Sequence, residues 1–235
     1  MSTTIALLPM KAHSARVPGK NFRSFAGRPL FRWILDNLLA VGEIRQVVIN
    51  TDARALLREH GLEESDRVRI RDRAPALCGD EVSMNRILAD DVAAVPADTY
   101  VMTHTTNPLL SADTISRALA EYHRAVAEGR ADSLFTVNRH QTRFYRADGS
   151  PVNHDPDNLI PTQDLEPWYE ENSCLYVFSA ASFASTHARI GKRPIFHETP
   201  RVESADIDTE IEWHQAEIAA LSRLIFVSHS RAHPA

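Results

Sequence analysis

Short apolar runs of strand length alternate with stretches of helical spacing along most of this chain, and that alternation leaves few architectures open. Residues 5–8 (Ile-Ala-Leu-Leu) are apolar and closed by Pro9, which reads as a buried strand ending at a loop. Leu30, Ile34, Leu35, Leu38 and Leu39 then recur at helical spacing. Residues 46–52 form a second apolar run with a polar end, 53–60 a helix, and 68–71 an alternating third strand. Ser83 opens a helix through Ile87, Leu88 and Val92, residues 99–103 form a strand, and residues 111–129 form a long helix closed by Gly129. Strands follow at 133–137, 172–178 and 195–198, with a short helix over 180–187. A last helix runs from Thr209 to about Leu224, then a short strand over 225–227 and a loose tail from 228 to 235. Strands separated by helices predict an α/β fold with a mainly parallel sheet. A length of 235 residues suits one domain.

Residues 138–171 break the pattern. They are rich in Arg, His, Pro, Asp, Asn and Tyr, and their apolar periodicity is weak. A segment this long without its own pattern is usually functional or a sub-domain. Asp148-Gly149 inside it is a hairpin turn signal.

Besides 99–110, where His104 leaves a buried strand at its carboxyl end as either a substrate contact or, more commonly, a structural residue, two stretches carry chemistry. After Pro9 come Lys11, Ser14, Arg16, Lys20 and Asn21 in one irregular segment, with Pro18-Gly19 fixing a turn. Open α/β sheets bind ligands at the carboxyl ends of their strands, and cations with backbone N–H groups there suit a polyphosphate. A solvated basic loop has the same composition. The second stretch, 203–212, is strongly acidic. Asp206 and Asp208, two apart in an extended segment, project to one side and can share a cation. Hard oxygen donors without cysteine suit Mg²⁺. Ordinary capping is the competing role, since Thr209, Glu210 and Glu212 would open the last helix. Asp52 likewise either meets a ligand or caps the helix after it, capping being the commoner job, and Ser83 is either a cap or a ligand contact.

These stretches resemble the sugar-acid cytidylyltransferases, in the acylneuraminate and Kdo branches. Pro9, Ser14, Pro18 and Lys20 match the opening motif of both branches, Asn21 that of the first, and Arg16 and Gly19 that of the second. Asn50-Thr51-Asp52 stands for Ser-Thr-Asp, Arg73 to Asp80 for R-P-x-x-L-A-x-D, and His104 to Leu109 for Q-P-T-S-P-L. Asn172 and Tyr176 match N-G-A-I-Y with Ser173 at the glycine, and residues 206–209 match D-I-D-T in full. Lys11, Ala12 and His13 replace an arginine and two glycines, and Thr162 stands where a carboxylate-binding arginine is expected.

The resemblance implies a Rossmann-like, three-layer nucleotidyltransferase fold over residues 1–235, with 138–171 as an inserted extension for substrate and dimerisation. It implies CMP transfer from CTP to a sugar acid of the nonulosonic class, with release of pyrophosphate. Pro9, Met10, Lys11, Ser14, Arg16, Lys20, Asn21, Arg73 and Ser83 would bind the nucleotide, with Lys20, Arg16 and Asp208 catalytic and Asp206 and Asp208 holding Mg²⁺. His104, Thr106, Asn107, Arg139, Arg143, Gln163, Tyr169, Asn172 and Tyr176 would meet the acceptor. The partners expected are CTP, a small acidic sugar and a second copy of the chain. Thr162 and the acidic residues near it leave a phosphonate or phosphate acceptor open, and the altered nucleotide loop leaves a binding module without turnover.

Composition removes other classes. A net charge of −5 argues against a nucleic-acid binder. No apolar run reaches the roughly 18 residues of a membrane span. Cys78 and Cys174 are far apart and match no metal or redox spacing. With no signal-peptide pattern at the N-terminus, a cytoplasmic protein is expected.

Overall fold

The computed structural model describes residues 2–232, with side chains to residue 225. Its main sheet comprises β1 (Thr4–Leu7), β4 (Ile44–Thr51), β5 (Val68–Asp72), β6 (Thr99–Thr103), β7 (Ser133–His140), β8 (Trp168–Phe178) and β9 (Pro194–Glu198), in the order β5-β4-β1-β6-β8-β7-β9. Pairing is parallel except where β8 runs antiparallel to β6 and β7. A two-stranded hairpin, β2 (Ser24–Phe25) with β3 (Arg28–Pro29), stands apart.

Side chains alternate along each strand, so the sheet builds a core on both faces. Ala6, Leu8, Val47, Ile49 and Val101 pack with α1 (Leu30–Ala40), α2 (Arg54–Glu59) and α4 (Ala112–Ala127). Ile5, Leu7, Val48, Tyr100 and Met102 pack on the opposite face with α3 (Met84–Ala94) and α5 (Ala180–Thr186). The result is three layers. A third cluster joins the hairpin to α6 (Glu210–Ala232) through Phe25, Trp33, Ile207 and Trp213. β1 pairs with β4 on one edge and β6 on the other. The chain therefore reverses its winding beside β1, and the loop leaving β1 lies at the point where such sheets bind ligands.

The expected fold class is the one observed, with local differences. Residues 225–227 belong to α6, not to a strand, and the helix runs through 228–232 of the expected tail; 233–235 lie outside the described residues. A three-residue apolar run cannot separate strand from helix by periodicity, and no Gly or Pro interrupts the chain between Glu210 and Ala232. β7 and β8 run three and four residues further than periodicity marks, pairing Arg139 with Tyr169 and His140 with Trp168. This ribbon projects past the layers, and the first four residues of β8 are exposed, so nothing imposes alternation on them. Asp148-Gly149 does form its turn, with Gly149 at φ +81° and Tyr145 bridged to Pro151. Ser173 sits at φ +57°, keeping the left-handed backbone for which the resembling motif uses glycine.

Candidate active site

The loop leaving β1 first continues the sheet. Leu8 N–H donates to Val48 O at 2.9 Å and Met10 N–H to Asn50 O at 3.1 Å. Side chains then take over. Asp52 accepts from Ala12 N at 2.7 Å, and Asn21 Nδ2 donates to Lys11 O at 2.8 Å. Asn21 is held in turn by Thr105 Oγ1 at 2.6 Å. Gly19, at φ +64°, lets the chain turn so that Phe22 and Arg23 N–H both reach its carbonyl.

Beneath this loop lies a buried polar chain. Asp91, fully buried on α3, accepts from Asn50 Nδ2 at 2.8 Å and pairs with Arg71. Burial is the main influence on its carboxyl and raises its pKa, with Asn50 and Arg71 opposing. Asn50 Oδ1 accepts from Arg73 Nε at 3.0 Å, and Arg73 Nη2 donates to Asn50 O at 2.7 Å and Met10 O at 3.1 Å. Arg73 is thus bound to the loop itself.

The acidic stretch closes the other wall. Ile207 N–H donates to Thr106 O at 3.0 Å, fastening it to the loop after β6. Thr209 and Glu212 form a reciprocal cap: Glu212 N–H donates to Thr209 Oγ1 at 3.2 Å, while Glu212 Oε2 accepts from Thr209 N at 2.8 Å and Asp208 N at 2.9 Å. Asp208 is thereby fixed against the basic loop, its Oδ1 at 3.0 Å from Arg16 Nη2 and 3.3 Å from Lys20 Nζ. Lys20, with a side chain only 8% exposed, also donates to Ile207 O at 2.5 Å.

Between these walls is a cavity of about 410 Å³. It brings together Pro9, Met10, Lys11, Ser14, Arg16, Lys20, Asn21, Arg73, His104, Thr106 and Asp208. Lys11 pairs across it with Asp80. Burial, then the charge of Arg189, lowers the His104 pKa to about 4, so its imidazole is neutral near pH 7. Asp206 is adjacent and lines a separate depression against α6. Partial desolvation raises its pKa; a Thr106 hydrogen bond opposes this and the Asp208 charge adds to it.

Other predicted residues do not line this cavity. Ser83 begins α3 but makes no side-chain cap and faces a neighbouring depression. Asp52 does not cap α2, because its carboxylate is spent on Ala12. Asn107 is buried and donates to Ala205 O at 3.3 Å. Asn172 is consumed by Thr136, Thr199, Asn138 and Cys174 N, which brace β7 against β8. Tyr176 lies in the core beside Met102. Arg139 donates to Gln141 and Arg143 to Ile160 O, so both arginines hold the extension to itself. Gln163 accepts through its carbonyl from Gln141, and Tyr169 is 46% exposed on the ribbon. Conversely, Thr105 and the Asn50–Arg73 link are structural members of the site that spacing alone does not reveal; only the unusual buried polar residues in strand-end positions point to them.

A family model described as Cytidylyltransferase matches residues 5–217. N-acylneuraminate cytidylyltransferase B of Danio rerio is 26% identical over 220 residues, which cover 90% of this chain and 50% of that protein. CMP-N,N'-diacetyllegionaminic acid synthase of Legionella pneumophila is 25% identical over 223 residues, covering 89% of this chain and 92% of that one. The chain therefore spans about half the length of the first relative and nearly all of the second. Among solved structures, CMP:2-keto-3-deoxy-manno-octonic acid synthetase complexed with CTP superposes with a TM-score of 0.65 at 13% identity, over 94% of this chain and 100% of that one.

Proposed function

Since this chain belongs to the cytidylyltransferase family, we propose that it transfers CMP from CTP to a hydroxyl of a nonulosonic sugar acid and releases pyrophosphate. The observation that carries this reading is the meeting of Lys11, Arg16 and Lys20 with Asp208 in one cavity at the end of β1. The sialic- and legionaminic-acid relatives supply the acceptor class.

In the proposed reaction the acceptor oxygen attacks the α-phosphorus in line, and positioning with charge stabilisation supplies most of the catalysis. Lys11 and Arg16 are 44% and 67% exposed, and their carboxylate partners are exchangeable for phosphate at small cost, because exposed ion pairs contribute only about 0–1 kcal/mol. Lys20 is buried, doubly held, and already in place. Neutral His104 can accept from or donate to the acceptor hydroxyl. The donor set at the acidic wall fits Mg²⁺: hard carboxylate oxygens, Asp208 in the cavity and Asp206 near enough to feel its charge. Asp208 and Asp206 would hold it, and when bound it would neutralise phosphate charge and orient the attacking oxygen.

A homodimer belongs to the same proposal. Tyr145, Leu159, Trp168, Tyr169 and Phe196 are exposed apolar side chains on the extension and β9, the kind that an interaction surface covers. No helix among the described residues is long and apolar enough to cross a membrane. Two free cysteines agree with a reducing, cytoplasmic setting.

Pyrophosphate release with CTP, Mg²⁺ and a panel of nonulosonic acids, Kdo and aminoalkylphosphonates tests the reading. Release with a nonulosonic acid is the expected result. Release with a phosphonate alone would replace the acceptor and keep the chemistry, and silence with CTP still bound would leave a binding module. A second expectation concerns the loop. Arg73→Met removes its ties to Asn50 and Met10 and should weaken CTP about tenfold in calorimetric titration, the scale of one net hydrogen bond. Unchanged affinity would show that the loop is held without Arg73.

A further inference from the structure

Arg189 lies outside every motif that the sequence singles out. It follows α5 in a short segment whose path is set on all sides. His187 closes the helix in a left-handed conformation at φ +54°. Arg189 N–H donates to Asn85 Oδ1 at 3.3 Å, and Thr186 Oγ1 donates to Ile190 O at 3.2 Å. Gly191 N–H donates to Ser133 Oγ at 2.8 Å, and Gly191 packs so closely on Asp132 and Ser182 that no Cβ fits there.

The guanidinium held by this segment stacks 3.9 Å from the Tyr176 ring centroid and donates from Nη2 to Tyr176 Oη at 3.0 Å. Tyr176 pairs directly with Met102 across β6 and β8. Directly paired residues share a face, and His104 follows Met102 by two residues, just past the end of β6. The Arg189 charge reaches His104, where it is one of the influences on the imidazole. It lines a depression of about 280 Å³ that shares Met84 with the nucleotide cavity.

Its charge is poorly compensated. The nearest carboxylate, Glu171, is 3.8 Å away, and the same Oε1 accepts a short hydrogen bond from Tyr176. By contrast, Arg23 grips Glu210 at 2.6 and 2.8 Å. Arg139, Arg143 and Arg146, the basic residues the sequence offers for the missing arginine's charge, are all engaged within the extension. Arg189 is preorganised, 20% exposed, and adjacent to the cavity. That is the state of a guanidinium that receives an anion.

We propose that Arg189, stacked on Tyr176 in the depression that shares Met84 with the nucleotide cavity, is the counter-charge for the anionic head of the acceptor, a sugar-acid carboxylate, and so does the work of the arginine absent at Thr162. This assignment rests on the cytidylyltransferase reading above. The test compares the wild type, Arg189→Met and Arg189→Lys with N-acetylneuraminic acid, its carboxamide and 2-aminoethylphosphonate at saturating CTP and Mg²⁺. KM is read from pyrophosphate release, or Kd from calorimetry where no turnover occurs. For the acid, Arg189→Met should raise KM about 10- to 100-fold, with KM for CTP within about twofold and Arg189→Lys in between. The wild type should lose a similar factor on the carboxamide, and Arg189→Met should lose little more. A shift seen only with the phosphonate keeps the counter-charge role and changes the anion. Equal losses on acid and carboxamide, or no loss, overturn the assignment alone, because a strap that merely holds Tyr176 would act on both alike. If the wild type neither turns over nor binds the phosphonate or any nonulosonic acid of the panel above, this assignment and the acceptor reading fall together.

Discussion

Replacing Asp208 with asparagine is expected to leave CTP binding nearly intact and to reduce turnover on the order of 100- to 1000-fold, the scale on which a preorganised electrostatic group contributes. Asparagine has the same shape and keeps an oxygen facing Arg16 and Lys20, now at 3.0 and 3.3 Å from the carboxylate. It removes the negative charge. The two cations, freed of their counter-ion, should attract a triphosphate at least as strongly in the absence of Mg²⁺. What the variant loses is the anionic ligand needed to hold a divalent ion against the phosphates. Calorimetric titration of CTP and pyrophosphate release at saturating Mg²⁺ separate the two effects. Turnover near the wild-type level in that assay would sink the metal role of Asp208.

The largest effect on stability is expected at Trp213. Its side chain is 1% exposed, meets the Phe25 ring edge-on at 5.3 Å, and carries the Arg23 guanidinium 4.3 Å from its centroid. With Ile207 it ties α6 to the hairpin. Trp213→Ala should cost about 3–5 kcal/mol, a large part of a typical stability of about 5–15 kcal/mol. At about 2–4 °C per kcal/mol for a chain of this size, the melting temperature should fall by roughly 6–20 °C. Trp213 lies in the first turn of α6, five residues after Asp208, so turnover should also fall at temperatures where the variant remains folded. Urea unfolding would show a lower midpoint at an unchanged slope. A loss below about 1 kcal/mol would mean that this cluster does not anchor α6.

The two variants probe different levels of one device. The role proposed for Asp208 depends on the position that the Thr209–Glu212 cap and the Trp213 anchor give it. The cap is local in sequence, and Thr209 with acidic residues behind it predicts it. The anchor is not local, since Phe25 and Trp213 are brought together only by the packing of the hairpin on α6.

The same division holds across the molecule. The sequence by itself determined the α/β class, because buried strands and amphipathic helices must write their periods into the chain. It also located both walls of the cavity, where charge is concentrated in segments that cannot join the core. It did not distinguish the end of α6 from a strand, since a short apolar run satisfies both periods. It did not reach the ribbon ends of β7 and β8, where neither face is buried.

Which polar residues work with which was decided by the tertiary structure alone. Asp52, placed where a helix cap is expected, turns to Ala12 instead, and Arg73 turns to Met10 and Asn50. Arg139 and Arg143 are drawn into the extension, while Arg189, in no motif, is stacked on Tyr176. A side chain's local pattern reports its burial, but its partner depends on which strand ends the sheet order brings together, and the pairing of β1 with both β4 and β6 has no signature in any single segment.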